Sequence, residues 1–132
     1  GIEQLKKADE ICEKRVSIKN KTEEIFKKYV KGITFPKSHP KSEWVPFGVP
    51  IICESYDLRK KLVNYCESNK YQTRGYFAGN LLMHPAYRKY GNYLEFPLSN
   101  RVLREIFFVG CSPTINDEKL SRVEHVLSQY PN

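Results

Sequence analysis

The chain has 132 residues, of which 40% are hydrophobic, 28% charged and 13% aromatic, and its formal net charge is +7. This length suits one domain of ordinary size but not a cofactor enzyme with two subdomains, and the composition is that of a globular chain rather than a disordered one. The longest apolar run, residues 106–111, is strand-sized, whereas a membrane span needs roughly 20 apolar residues. Residues 1–7 contain no initiator Met and no signal-peptide core, so we expect a cytoplasmic protein cut from a longer sequence.

The positive charge does not by itself indicate a nucleic-acid partner. Nine of the 22 basic residues lie in the first 31 positions, where six acidic residues are interleaved with them. Such mixed charge is typical of a solvated helix face, while a phosphate-binding stripe would be predominantly basic. A nucleic-acid-binding module therefore remains an alternative that the pattern does not favour.

The cysteines and histidines do not form the pattern of a metal or redox site. No Cys-x-x-Cys pair occurs, and none of the three histidines lies four positions from another. We therefore expect no metal. The four cysteines are predicted to be reduced and to act as small buried hydrophobes: Cys12, Cys53, Cys66 and Cys111.

The first predicted element is one long amphipathic helix over residues 2–31, because apolar residues recur at three- and four-residue intervals without Gly or Pro. At ~1.5 Å per residue it would extend roughly 40 Å, so part of it should pack outside this domain. Residues 36–50 contain four prolines and are predicted to be irregular. Residues 44–53 indicate a strand, after which Ser55 is positioned to cap a helix.

The second half of the chain alternates short strands with short helices. Its predicted elements are a strand over residues 71–77, a turn over 78–80, a short helix near Pro85 to Tyr90, an extended stretch over 94–97, a brief helix from Ser99 or Asn100 to Glu105, a buried strand over 106–111 and a last helix opened by Asn116. The sequence thus predicts a single α+β domain over residues 1–132, with a small antiparallel sheet, helices on one face and a long N-terminal helix.

The strand and turn before Pro85 contain residues suited to binding a polar ligand. Arg74 shares a strand face with Tyr76 by the period of two, although an exposed strand arginine is also compatible with a solvated charge. Gly79 permits a positive φ, and Asn80 offers both a donor and an acceptor. Phe77 either covers a ligand ring or fills the core.

Two further candidates lie elsewhere in the chain. Arg101 is predicted at a helix start, where free N–H groups favour an anion that its guanidinium can grip bidentately, and a helix-surface arginine is the alternative. Phe47 lies at the entry to a predicted strand, where it either packs in the core or forms the wall of a pocket. No Ser-His-Asp spacing, Gly-rich phosphate loop or recognisable Schiff-base lysine occurs. Any chemistry must therefore come from elsewhere.

Five segments of the chain agree in order and spacing with the patterns of one enzyme family. They are residues 1–15, 47–51, 77–81, 99–110 and 115–123. The chain resembles the C-terminal domain of the DegT/DnrJ/StrS-type, pyridoxal-phosphate-dependent nucleotide-sugar aminotransferases and dehydrases. Residues 77–81, Phe-Ala-Gly-Asn-Leu, are similar to a motif of the 3-dehydrase branch, which includes the CDP-4-keto-6-deoxyglucose 3-dehydrase of lipopolysaccharide biosynthesis.

The resemblance implies the aspartate-aminotransferase type of fold, with residues 1–31 as an interdomain helix and residues 44–132 as the small domain. A missing N-terminal large domain would then bind pyridoxal or pyridoxamine phosphate, and this chain alone would bind no cofactor and supply no catalytic residue. The chain would close over a nucleotide-diphosphate sugar in a homodimeric enzyme. The substrate-binding residues that the resemblance implies are Arg101, Arg74, Asn80, Phe77, Phe47 and Gly79.

Three departures from the pattern leave the substrate open, and with it the choice between dehydrase and aminotransferase. Asn100 stands where the branch has Asp, Phe108 where it has Trp, and residues 111–114 are Cys-Ser-Pro-Thr where it has Val-Tyr-Pro-Gly. A free-standing interaction domain derived from such an enzyme is a further alternative.

Overall fold

A computed structural model of the chain describes residues 1–131. Three helices pack on a four-stranded sheet, and three short 3-10 turns lie between the third strand and the fourth helix along the chain. The helices are α1 (Ile2–Leu5), α2 (Ala8–Tyr29), α3 (Tyr56–Ser68), α4 (Pro97–Glu105) and α5 (Asp117–Ser128). The strands are β1 (Ile33–Thr34), β2 (Gly48–Cys53), β3 (Thr73–Gly75) and β4 (Ile106–Gly110). The 3-10 turns are Leu81–Met83, Pro85–Tyr90 and Tyr93–Glu95.

The sheet has the order β1-β2-β4-β3, and every neighbouring pair is antiparallel. The two central strands set its register, with Val49 opposite Val109 and Ile51 opposite Phe107. Because successive side chains in a strand point to opposite faces, all four of these residues lie on one face. The predicted small antiparallel sheet is confirmed.

The core lies between this face and the helices. Ile51 and Phe107 are completely buried, as are Leu62 of α3 and Leu127 of α5. From α2, Phe26 completes the set of largest side chains in the cluster. The hydrophobic core therefore lies between one face of the sheet and the helices that cover it. Helices on one face are what the sequence predicts.

Two predicted helix starts and one predicted strand are confirmed in detail. The Ser55 hydroxyl accepts a hydrogen bond from the Leu58 N–H at 3.1 Å, and Asn116 Oδ1 accepts one from the Lys119 N–H at 3.0 Å. Each side chain satisfies an N–H group that the first helical turn leaves free. The predicted buried strand is β4, where Phe107 and Val109 are fully buried.

The single N-terminal helix predicted over residues 2–31 is instead two helices. The helical hydrogen bonding is interrupted at Lys6 and Lys7, and Lys7 is the N-cap of α2. No residue of α1 is buried, and Ile2 and Leu5 are about three-quarters exposed, at 76% and 75%. Packing therefore does not hold α1 in line with α2, and local preference alone is a weak constraint on so short a helix.

Three boundaries in the second half of the chain were predicted wrongly. The strand expected over residues 71–77 is only β3, because β4 offers it just three partner residues. Residues 94–97 are not extended, since a 3-10 turn ends at Glu95 and α4 starts at Pro97. Neither Ser99 nor Asn100 caps α4, because Pro97 occupies the first helical position, where its fixed φ and missing N–H are favourable.

Burial in the core predicts a large difference between two leucine truncations. Leu62→Ala should lower the free energy of unfolding by about 2–5 kcal/mol, because it removes a fully buried side chain and leaves a cavity. Leu98→Ala, at a position that is 74% exposed, should change it by less than about 0.5 kcal/mol. Urea unfolding followed by circular dichroism measures both, and equal effects would contradict the assignment of Leu62 to the core.

Burial also predicts the order in which the cysteines react. Desolvation raises the pKa of the Cys53 and Cys66 thiols to about 12, and burial raises that of Cys111 as well. Because the thiolate is the reactive form, a thiol reagent at pH 8 should label partly exposed Cys12 first and the other three only on unfolding. Cys12→Ser should abolish the fast phase, and a fast phase that survives this substitution would contradict the burial pattern.

Candidate functional site

Four aromatic rings cover the sheet face that lies opposite the helices. Phe47, Tyr76, Phe77 and Phe108 form this group, which we call the aromatic face. The Phe77 ring stacks on the Phe108 ring at 6.0 Å, and the Phe47 ring meets the Phe108 ring edge-on at 5.4 Å. Phe47 and Phe77 are nevertheless 58% and 67% exposed. Rings that pack on one side and face solvent on the other form a surface suited to a second planar or apolar group.

The entry to β2 is built to hold Phe47 and Phe108 together. A Cβ atom on Gly48 would lie 2.5 Å from Phe108 Cδ2, so the absent side chain makes room for the ring. One guanidinium nitrogen of Arg15 on α2 donates to the Pro46 carbonyl at 3.2 Å. Lys19 Nζ lies 5.2 Å from the centroid of the Trp44 ring. Helix α2 therefore fixes the segment that carries Phe47.

Phe77 has an uncommon backbone conformation, with φ at 51°. For a bulky residue other than glycine, a positive φ is strained by roughly 1–3 kcal/mol and persists only where surrounding contacts impose it. The Phe77 N–H donates to the Gly75 carbonyl at 2.9 Å, which tightens the turn that directs the ring over Phe108. Strain of this kind clusters at functional sites, and that supports Phe77 as a site residue.

Arg74 lies on the same face as these rings. The register of β3 with β4 places it opposite Phe108, and directly opposite residues share one face of a sheet. Arg74 is exposed and makes no salt bridge with the carboxylates of the part of the chain that the structure describes. Its guanidinium is exposed beside the aromatic face, and its charge adds to the hydrogen bonds from Thr73 in lowering the pKa of the Glu67 carboxyl.

Asn80 is buried at 4% exposure, and its amide is fully engaged within the fold. Its Oδ1 accepts from the Leu82 N–H at 3.0 Å, while Nδ2 donates to the Tyr93 carbonyl at 3.2 Å and to Asn100 Oδ1 at 2.8 Å. Asn100 Nδ2 also donates to the Tyr93 carbonyl, at 3.0 Å. The sequence suggests Asn80 as a ligand-binding side chain, and the structure shows that its amide also holds together the turn that carries Phe77 and Gly79.

Gly79 meets the expectation of a positive φ, at 60°. A Cβ atom on this residue would lie 2.4 Å from Leu103 Cβ and 3.0 Å from Leu103 Cα. The glycine thus allows the turn to approach the backbone of α4 more closely than any side chain would permit. It joins the aromatic face to α4 through this packing.

Residues 81–98 contain no buried residue, and we call them the apolar arm. Short turns and side-chain hydrogen bonds order the arm, as where Asn92 Oδ1 accepts from the Leu94 N–H at 3.0 Å. Its exposed large apolar side chains are Leu81, Met83, Tyr87, Tyr90, Tyr93, Leu94, Phe96 and Leu98. An ordered segment with this much exposed apolar surface is typical of an interaction surface.

Arg101 was predicted at a helix start, and this placement is wrong. It is the fifth residue of α4, beyond the first four positions, whose N–H groups lack intrahelical partners. Its side chain is exposed and pairs with Glu105 at 2.7 Å, a hydrogen bond that raises the pKa of the guanidinium. Only one turn of helix separates the two partners, so the pair by itself indicates an ordinary surface contact.

Two participants in this site were not identified from the sequence. Phe108 anchors the aromatic face, and Asn100 completes the hydrogen bonds of Asn80. The signal available for Phe108 was the alternation of side chains along β4, which places Phe108 on the face opposite to the buried Phe107 and Val109. Nothing local indicated Asn100, because its partners lie seven and twenty positions away.

The chain belongs to the DegT/DnrJ/EryC1/StrS aminotransferase family, whose model matches residues 1–128. It is 30% identical over 103 residues to the dTDP-4-dehydro-2,6-dideoxy-D-glucose 3-dehydratase of Saccharopolyspora spinosa, covering 75% of this chain and 22% of that protein. It is 27% identical over 134 residues to the lipopolysaccharide biosynthesis protein RfbH of Salmonella typhimurium, covering 98% of this chain and 30% of that protein. The chain thus spans less than a third of the length of both relatives.

The fold agrees with solved structures of the same kind. DesV from S. venezuelae, solved in complex with a ketimine intermediate, superimposes with a TM-score of 0.81. That match covers 95% of this chain and 33% of DesV at 16% sequence identity. At this identity the likeness establishes the fold, which is the small-domain architecture that the sequence predicted.

Residues 1–131 do not by themselves fit a pyridoxal phosphate cofactor. Among them Lys19 is the one partly buried lysine, and it pairs with Glu23 at 3.1 Å; all three histidines are exposed. No group of three or more metal-ligating side chains occurs in this range either, and none of its helices is long and apolar enough to cross a membrane. What these residues do offer is the aromatic face, Arg74 and the apolar arm.

The close approach at Gly79 predicts the outcome of one substitution. Gly79→Ala should lower the free energy of unfolding by about 2 kcal/mol or more, because a side chain is strained at this φ and its Cβ would overlap Leu103. Gly110→Ala is the matched control, since nothing lies within 4 Å of the added Cβ, and it should be nearly neutral. Thermal unfolding of both variants measures this, and a neutral Gly79→Ala would contradict the described turn.

Proposed function

We propose that this chain is the C-terminal domain of a pyridoxal-phosphate-dependent nucleotide-sugar 3-dehydrase. The observation that carries the proposal is the 30% identity to a sugar 3-dehydratase, together with the Phe-Ala-Gly-Asn-Leu segment at residues 77–81. The likeness to sugar aminotransferases of solved structure lies below 20% identity and supports the fold only.

In this proposal the work is divided between two parts of a longer polypeptide. Residues 1–31 lead from an N-terminal large domain into a small domain over residues 44–132. The large domain holds pyridoxal or pyridoxamine phosphate, which supplies an electron sink for removing a hydroxyl from the sugar. The absence of a fitting lysine or histidine site within residues 1–131 is consistent with this division.

The aromatic face is the part of this chain that we place over the nucleotide-diphosphate sugar. The exposed rings of Phe47 and Phe77 offer apolar surface on which a planar base or a sugar ring can pack. Arg74, on the same face, carries a planar fork that matches two phosphate oxygens. Gly79 and Asn80 hold the turn in place, and Arg101 is assigned to substrate through the family resemblance.

The apolar arm is the surface that we assign to contact with the rest of the enzyme. Eight large apolar side chains within 18 residues remain exposed. Packing within this domain therefore does not explain why they are apolar. Their shape is set by the hydrogen bonds of Asn80 and Asn100, so the arm is ordered before it meets a partner. The partner is the large domain of the same polypeptide or of a second copy in a homodimer.

Two functions compete with this proposal. The first is a sugar aminotransferase, favoured by the neighbours of solved structure, and the second is a free-standing interaction domain, favoured by the exposed arm. To separate an aminotransferase from a dehydrase, the full-length polypeptide is incubated with pyridoxamine phosphate and a 4-keto nucleotide sugar. Mass spectrometry then identifies the product. Loss of water supports the dehydrase, and exchange of the keto oxygen for an amine overturns it. An isolated reading frame without a cofactor domain would support the free-standing interaction domain.

The proposed role of Arg101 predicts a separation of activity from stability. Arg101→Lys keeps the charge but removes the bidentate fork, so in the complete enzyme kcat/KM should fall by roughly ten- to a hundred-fold, the equivalent of about 1.5–3 kcal/mol. The melting temperature should barely move, because an exposed pair one helical turn apart contributes little. Unchanged kinetics with a melting temperature several degrees lower would make Arg101 a structural residue of α4.

A further inference from the structure

A pocket of about 260 Å3 lies on the helix side of the domain, away from the aromatic face. Helices α2 and α5 form two of its walls, and the turn between α3 and β3 forms the third. Its lining residues are Thr22, Asn69, Lys70, Tyr71, Ile115, Lys119, Leu120, Arg122, Val123 and Val126. The volume is somewhat below the roughly 300–1,000 Å3 of drug-sized ligand sites, so it suits a small molecule.

The pocket combines an apolar interior with a positively charged rim. Ile115, Leu120, Val123 and Val126 supply the apolar part, whereas the charged members of the lining are all basic: Lys70, Lys119 and Arg122. No acidic side chain lines it. An anion with an apolar body is complementary to such a surface in both shape and charge.

Two of these cations have no salt-bridge partner in the part of the chain that the structure describes. Lys70 and Arg122 form no salt bridge with the carboxylates of residues 1–131. Lys119 Nζ makes only a long hydrogen bond, 3.4 Å, to the Thr114 carbonyl. Within residues 1–131, the guanidinium of Arg122 and the ammonium of Lys70 therefore lie beside an apolar cavity without a salt-bridge partner.

Lys70 occupies a position at which glycine is the usual residue. Its φ is 59°, in the turn that ends α3, where the Tyr71 N–H donates to the Cys66 carbonyl at 2.9 Å. Turns of this kind normally place Gly or Asn at the left-handed position, and other residues there are strained by about 1–2 kcal/mol. A lysine tolerated at this position places a cation at the pocket rim.

Tyr71 is a further member of the lining. Its ring packs near Phe26, with centroids 6.3 Å apart, and burial raises the pKa of its hydroxyl, so the group remains a neutral donor at ordinary pH. No residue of the described range 1–131 hydrogen-bonds to this hydroxyl. Tyr71 thus adds an aromatic residue to a lining that otherwise offers aliphatic walls and cations.

We propose that this pocket binds a small amphipathic carboxylate, with its aryl or branched alkyl part between α2 and α5 and its carboxylate between Lys70 and Arg122. The site lies on the opposite side of the sheet from the aromatic face and is independent of the proposed sugar chemistry. A neutral or cationic ligand of the same shape gains the apolar contacts but not the charge complementarity, so the charge of the headgroup is the discriminating variable.

The first experiment titrates the folded chain with three probes that share one apolar body: 4-phenylbutyrate, 4-phenylbutanol and 4-phenylbutylamine. Methyl NMR reports binding at Ile115, Leu120, Val123 and Val126. The carboxylate should bind at least about fivefold more tightly than the alcohol, and the amine more weakly than both. Equal affinities of the three probes, or shifts confined to methyls outside these four, would overturn the proposal.

The second experiment removes the charges and uses a matched control. Arg122→Gln and Lys70→Gln should each weaken 4-phenylbutyrate binding about fivefold and leave 4-phenylbutanol binding unchanged. Lys60→Gln, on the exposed side of α3, removes the same charge outside the pocket and should have no effect. Circular dichroism establishes that each variant is folded. An equal loss of 4-phenylbutyrate affinity in all three variants would mean that only the net charge of the protein matters, and it would overturn the assigned site.

The same titration on the longer polypeptide that contains this chain tests whether the pocket is open there. Binding of 4-phenylbutyrate that is lost with Arg122→Gln supports the site. Absence of binding to the longer polypeptide, with binding to the isolated domain retained, would mean that another part of the protein covers the pocket, and the proposed ligand site would be overturned.

Discussion

The antiparallel pairing of β2 with β4 is the constraint on which both faces of this domain depend. Val49 and Ile51 of β2 meet Val109 and Phe107 of β4 on the helix side, where they form the core. The alternate residues of the same strands point the other way and include Phe108. Because a slip of one residue would exchange the two faces, a single register fixes both the core and the aromatic face.

The apolar arm is ordered by polar groups instead of by a core of its own. Asn80 contributes three hydrogen bonds, and two of them reach Tyr93 and Asn100. A buried amide with every donor and acceptor satisfied is a strong geometric constraint, because leaving any of them unpaired costs about 1–3 kcal/mol. The arm can therefore keep one shape while its apolar side chains stay exposed to a partner.

Local rules in the sequence predicted what local interactions decide. The caps at Ser55 and Asn116 follow from side chains that bond to N–H groups three positions away, and the apolar run of β4 follows from its burial. The start of α4 was missed because Pro97 outweighed two better capping residues further along. The interruption at Lys6 and Lys7 has no signal in the sequence that we can identify.

The site was harder to predict, because the meaning of its residues depends on distant partners. Asn80 has the chemistry of a ligand-binding residue, and its bonds to residues 13 and 20 positions away, which no local pattern shows, also make it hold the turn in place. Arg101 is interpreted differently once its place within α4 and its pairing with Glu105 are known. Phe77 was left as core or pocket, and its exposure together with its positive φ favours the pocket.

Helix α2 connects the two sides of the domain, because it contributes to each of them. Arg15 holds the segment before β2 that carries Phe47. Two turns further along the helix, Thr22 lies in the wall of the pocket. Between these positions Ile18 is buried in the core. A ligand in the pocket could therefore affect the aromatic face only by moving α2, which is packed closely in the core. Because such cores shift between discrete packings rather than deform continuously, the two surfaces should respond to substitutions independently and their effects should add.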